Sequence, residues 1–329
     1  MAQQRIKSSF IYLANAVNDL RGNWLNLAVV LAPLIVLASI CLLPEALNLQ
    51  HYFAGSGGGG GTTVGYFLAQ EPYHPATNTT PAPYPAWLIY AMRGMGALIS
   101  VVAGLLILVE LKRIQTGERA PGIIGETIAV YARAGRLALA YLWIWILQFL
   151  APGVAIVVLK LNLETDYPVL AVLIFILRLA LLIAAGVVYL WLYFAQFALV
   201  FDGEHSFHSL LFSRDLMRKR FFTVASRVVV FLAVAWGFNS WAFIAFYEVS
   251  LMLGPVAQST GVVSTIVILL DLMSLSISLA TLTFFIAAGV RLYQDLIAIA
   301  RAGSGVQPNS SAALQTTVPL SGASASAVS

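Results

Sequence analysis

Six stretches of the chain, at residues 25–43, 86–109, 137–159, 168–200, 223–252 and 261–289, run for about twenty positions or more with almost no charge. A helix rises about 1.5 Å per residue, so each stretch is long enough to cross a hydrocarbon core of about 30 Å. In lipid no water satisfies a free peptide group, and a helix satisfies its own. The expected fold class is therefore all-α: a polytopic membrane helix bundle with about six transmembrane helices. The fourth and fifth stretches exceed what the hydrocarbon needs and are expected to tilt or project.

Composition agrees. Of 329 residues, 60% are hydrophobic and 10% charged, with mean hydropathy +0.87, more apolar surface than a soluble domain can hide. The formal charge of +4 is not read as a nucleic-acid footprint, because the basic residues fall in short clusters between apolar runs. Arg5, Lys7 and Arg21 precede the first run. Lys112, Arg113, Arg119, Arg133 and Arg136 follow the second, Arg214, Arg218, Lys219, Arg220 and Arg227 follow the fourth, and Arg291 and Arg301 follow the sixth. The alternate connections carry Lys160 alone. This asymmetry expects cytoplasmic N- and C-termini in a cell membrane, read as the bacterial inner membrane.

The run 25–43 is too long for a secretion-signal core and is read as a retained first span. Cys41, the single cysteine, lies within it. Ile40 before it does not suit a lipoprotein signal, and without a partner it is an inert core residue. The outer connection 44–85 holds five glycines at 57–61, then Pro72, Pro75, Pro81, Pro83 and Pro85. It reads as an exposed loop; no Gly-Lys-Ser/Thr ending makes it a phosphate cradle. Asn78-Thr79-Thr80 fits a glycosylation sequon. Residues 302–329 are rich in Gly, Ser, Ala and Thr and read as a disordered cytoplasmic tail. Three parts follow: an N-terminal cytoplasmic interfacial helix over 1–24, the six-helix domain over 25–301, and the tail.

Short cytoplasmic interfacial amphipathic helices are expected before the odd-numbered spans. Ile6, Phe10, Leu13, Val17 and Leu20 recur at helical spacing. Ile124, Ile128 and Tyr131 face away from Glu126, Arg133 and Arg136, behind Pro121. Phe207, Leu210, Leu211, Met217, Phe221 and Phe222 share an arc that Arg214 and Arg218 enter by snorkelling. Such helices lie in the headgroup layer, so membrane lipids and anionic headgroups at the cytoplasmic face are the expected partners, with a homo- or hetero-oligomer possible. The layout repeats as interfacial helix, span out, span back. Asp19-Leu20-Arg21 and Asp215-Leu216-Met217-Arg218 echo one another; internal duplication and simple hairpin insertion both produce this.

Residues 191–204, from Trp191-Leu192-Tyr193-Phe194-Ala195-Gln196 to Phe201-Asp202-Gly203-Glu204, lead into Ser209-Leu210-Leu211-Phe212-Ser213 and Arg218-Lys219-Arg220-Phe221-Phe222. A span ending in aliphatic residues, an acidic-glycine turn, and a helix with a serine and basic residues resembles bacterial six-helix membrane proteins related to the membrane domain of glycerophosphoryl diester phosphodiesterases. The resemblance implies a membrane fold and no activity, since the soluble phosphodiesterase domain has no counterpart in these residues.

The sequence contains no HExxH, P-loop, nucleophile elbow or paired-cysteine motif. Asp202, Glu204, His205 and His208 form its densest polar cluster. Metal binding there is weighed against a helix N-terminus with wetted histidines, and the latter is preferred; no metal and no cofactor is expected. Arg93, Arg178, Glu248 and Asp271 fall in or near apolar runs, where a charge costs about 2.5–3.5 kcal/mol at a helix centre. They are expected to pair, Arg178 with Asp271 at mid-depth and Arg93 with Glu248 nearer the outer surface, or else to line a polar transport site. The function read from this is a non-catalytic scaffold or accessory subunit, with no catalytic residues. A small-molecule transporter, for which Pro33 and Pro152-Gly153 offer helix breaks, and a lipid-modifying enzyme are the alternatives. A topology reporter fused before Arg5 or after Arg301 should read cytoplasmic and one within 57–61 external; a cytoplasmic reading from the glycine run would reject this arrangement.

Overall fold

The computed structural model describes residues 6–55, 84–118, 122–160, 168–203, 205–218, 220–253 and 260–303. The expected glycine-proline loop with its sequon, and the expected tail, fall largely or wholly outside them. The described residues form helices α1 (Ser9–Gly55), α2 (Ala86–Thr116), α3 (Gly122–Lys160), α4 (Pro168–Leu192), α5 (Ala195–Phe201), α6 (Ser206–Arg218), α7 (Phe221–Leu253) and α8 (Thr260–Gly303), with no strand among them. Six segments are long and apolar enough to cross a membrane, α4 and α5 counting together as the fourth. The protein is an all-α, multi-pass membrane helix bundle.

The packing is built from hairpins. α1 lies along α8 and α2, α3 along α4, and α7 along α8, while α2 also meets α3 and α8. The core lies toward the ends of the spans that bear the basic clusters. There Tyr12 and Ala16 of α1, Leu106, Ile107 and Leu108 of α2, and Tyr293 of α8 surround Tyr193, Phe194 and Phe197. Close approach matters, because lipid gives helices no hydrophobic push together and contact area must do the work. At Gly289 a Cβ would stand 2.6 Å from the Tyr193 hydroxyl and 2.8 Å from the Phe197 ring. At Gly104 it would stand 2.8 Å from the Tyr141 hydroxyl. Both glycines let an aromatic side chain lie directly on helix backbone.

Three sequence expectations need correction. First, no break separates an N-terminal helix from span one: α1 runs unbroken from Ser9, and Gly22 sits within it. Its inward face is Tyr12, Leu13 and Ala16, while Phe10 and Val17 of the expected stripe are exposed. Tyr12 turns inward because its hydroxyl finds Asp295 at 2.9 Å, and Ala16 is small enough for a close neighbour. Second, the amphipathic start of α3 likewise continues into its span without interruption. Third, Pro33 and Pro152 break nothing, for α1 and α3 continue through both. Proline removes one ladder bond, and a transmembrane helix tolerates that where neighbours compensate. The Tyr131 hydroxyl donates to the Val30 carbonyl at 2.9 Å and ties α3 to α1 one turn before Pro33.

The long fourth stretch, expected to tilt or project, is interrupted: its helix stops at Leu192 and restarts at Ala195. The interruption is satisfied from α6. The Ser213 hydroxyl donates to the Trp191 carbonyl at 2.6 Å and accepts the Phe194 N–H at 3.1 Å. Gly203, with φ of 70°, then turns the chain from α5 into α6. The buried face of α6 is Ser209, Ser213 and Met217, at i, i+4 and i+8, whereas Phe207 of the expected apolar arc points outward, as does Phe222 at the start of α7. Small hydroxyl residues together with Met217 bring α6 onto the bundle. Ser213→Ala should strand a buried carbonyl and N–H and lower stability in detergent by about 1–3 kcal/mol. Ser213→Thr, which keeps the hydroxyl, should lose less; equal melting of wild type and the alanine variant would show that the interruption needs no partner.

Candidate functional site: polar clusters at the charged end of the bundle

A stretch of fewer than two turns, 110–115 at the end of α2, gathers the polar chemistry. Glu110 is fully buried at the end of an apolar run, and a lone carboxylate there would be costly. Arg113, one turn on, meets it as a fork: Nε donates to one Glu110 oxygen and Nη2 to the other, both at 2.8 Å. Nη2 also donates to Glu126 of α3 at 3.0 Å, and Nη1 to the Glu118 carbonyl at 3.4 Å. The planar guanidinium suits this bidentate geometry, which an ammonium cannot reproduce. Arg133 of α3 closes the corner on the Glu118 carboxylate at 2.8 Å.

The remaining residues of the stretch reach further. Lys112 donates from Nζ to the carbonyls of Val200 at 2.7 Å and Phe201 at 2.9 Å, placing a cation at the C-terminus of α5, where the helix dipole is negative. Gln115 accepts from Gln294 of α8. α8 adds its own ties: Tyr293 donates to Asp202, Arg301 stands 3.9 Å from the same carboxylate, and Arg291 forks onto Asp19 of α1, with Nε donating at 2.7 Å. Lys7 joins Asp295 at 3.5 Å.

Deeper in the bundle lies an uncharged cluster. Tyr141 donates to Gln196 at 3.1 Å, and Gln148 hydrogen-bonds Tyr189. The Tyr193 hydroxyl, fully buried, has no hydrogen-bond partner among the described residues.

The residues singled out from sequence fare unevenly. Asp202 is drawn to α8 by Tyr293 and Arg301; His205 and His208 are exposed, and the His205 carbonyl accepts the Ser209 N–H at 2.9 Å. Glu204 lies outside the described residues, and no group of three His, Cys, Asp or Glu side chains suited to a metal occurs among those described. Arg178 is half-buried on the stripe Ile174, Arg178, Leu181 and Ala185, the least exposed face of α4, which packs along α3. The side chains of Arg93, Glu248 and Asp271 lie outside the described residues, and with them both expected pairings.

The reading from sequence missed Glu110 and Arg113. It counted Arg113 only among the charges that set topology, although Glu-x-x-Arg closing an apolar run was the available signal. No family model, no curated protein and no solved structure matches this chain.

As placed, these groups hold helices to one another. Arg113→Met should strand Glu110 without its cation and destabilise the protein by about 3–5 kcal/mol, while the double variant with Glu110→Leu should lose much less. Unfolding in mild detergent measures the coupling, and additive losses would show that the pair does not act as a unit.

Proposed function

We propose that the chain is a non-catalytic membrane scaffold or accessory subunit, seated in a bacterial inner membrane with both termini cytoplasmic, whose fourth span is a docking surface for another membrane helix. The observation that carries this is the exposure of α4. Only 6% of the apolar window of the fourth span is buried, against 61% for the second. Val169, Val172, Phe175, Ile176, Leu177 and Ile183 are all exposed, and around the helix they leave only the stripe toward α3 covered. In lipid such a face costs nothing to leave bare, so it is open to the close approach of another membrane helix.

Two further points support the reading. Several charges near the basic end tie one helix to another, Arg113 with Glu126 and Arg291 with Asp19, which is the use a rigid platform makes of them. The unbroken passage of α1 and α3 through their prolines removes the helix breaks on which the transporter reading leaned. The resemblance to phosphodiesterase membrane domains fits as well, since it implies a membrane fold without activity.

A photoreactive residue in place of Leu177, introduced in cells, tests the docking surface. The expected product is a discrete adduct with a second membrane polypeptide or a second copy of this chain, absent when the probe replaces buried Ala185. Lipid adducts alone at Leu177, 176 and 183 would reject it. Solute flux through vesicles containing the purified chain would favour the transporter.

A further inference from the structure

The seam where α7 lies along α8 carries a polar group that the bundle leaves half used. On α7 the Asn239 side chain is exposed, and its oxygen accepts the Ser278 hydroxyl of α8 at 3.3 Å. Among the described residues its amide nitrogen donates to nothing. Asn239 stands sixteen residues past 223 and thirteen before 252, and Ser278 stands seventeen past 261 and eleven before 289. Eleven residues are roughly 16 Å at 1.5 Å per residue, so each residue lies deep within its own apolar run. The side chains beside Asn239 are apolar and bare to lipid: Leu232, Trp236 and Phe238 are all exposed. Amide N–H groups without an acceptor are costly in hydrocarbon, and another helix is what can supply one.

The chemistry of the group selects the occupant. A carboxamide is its own complement, with donors on nitrogen and two acceptor positions on oxygen, of which Ser278 takes one. Two copies of one membrane protein insert with the same orientation, so a two-fold axis relating them stands normal to the membrane. It sets residues of α7 near the axis opposite themselves at equal depth. An outward amide there meets the same amide. Leu232 and Asn239 are seven residues apart with Ala235 and Trp236 between them, the spacing on which two parallel helices pack. In such a seam one asparagine fixes register, because a slip of either helix strands both amides.

We propose that α7 is a homodimer interface, in which two copies of this chain meet along Leu232, Trp236 and Asn239 and the two Asn239 side chains exchange amide hydrogen bonds. The interface lies on a different helix from the α4 face and does not rest on the scaffold reading. The Leu177 adduct and an α7 dimer can each fail alone.

Cysteine crosslinking of the full chain in native membranes tests it, with Cys41→Ala leaving one cysteine per chain. Leu232 and Val234 are equally exposed, at 40%, but lie on opposite sides of α7. On oxidation Leu232→Cys should give a disulfide-linked product of twice the chain's mass, and Val234→Cys should not. Asn239→Leu places an apolar side chain where lipid already lies, so the monomer should fold as before. It should weaken dimerisation of the otherwise unaltered chain about five- to thirty-fold, the effect of interhelical polar bonds in a membrane, as read by counting subunits through single-molecule photobleaching in bilayers. A monomeric wild type would overturn the interface. So would equal crosslinking from positions 232 and 234, a disulfide from 232 to a different polypeptide in place of a second copy, or a dimer indifferent to Asn239→Leu.

Discussion

Glu110 sits fully buried where a helix enters its apolar stretch, and a carboxylate in that position must be given a cation by the protein itself. Arg113 supplies it, and the same guanidinium then reaches Glu126, so satisfying one charge also fixes where α3 begins. Lys112, on the same turn, places its ammonium at the end of α5, and Gln115 reaches α8. Four neighbouring side chains of α2 thus orient three other helices. In water such ties would add little to hydrophobic packing; in lipid, where apolar faces gain nothing from leaving hydrocarbon, close contact and polar bonds carry the association.

From that constraint follows the uneven distribution of the core. Aromatic rings collect at the basic end, where Gly104 and Gly289 admit Tyr141, Tyr193 and Phe197 against backbone. α4 shares little of this, meeting α3 along one stripe and α6 near its end, with its large aliphatic side chains outward. The same physics explains why Phe207 and Phe222 stay outside while Ser209 and Ser213 go in. A phenyl ring loses nothing in lipid, but an interrupted backbone needs a hydroxyl.

Sequence periodicity marked the faces of α1 without deciding which of them meets protein. Of the expected stripe Leu13 packs into the bundle, Phe10 and Val17 are exposed, and Tyr12 and Ala16 beside the stripe are buried. Proline as a helix breaker, applied at Pro33 and Pro152, failed because a transmembrane helix can continue through one missing bond. The interruption at Tyr193 and Phe194 carries no proline or glycine, so no local rule pointed to it.

The sequence by itself determined the number and approximate extent of the membrane-crossing helices, because hydrocarbon thickness sets a length that composition alone reveals. It did not determine which charges are solvated. Arg113 and Arg136 look alike along the chain, each a basic residue beside a span, yet one is buried in a fork with Glu110 and the other is exposed. That difference arises when α2, α3 and α8 come together, since burial of a side chain is a property of neighbours far away in sequence. Tertiary structure likewise decided the partners of Asp19, Asp202 and Ser213, because a hydrogen bond is chosen by distance in space and not by spacing along the helix.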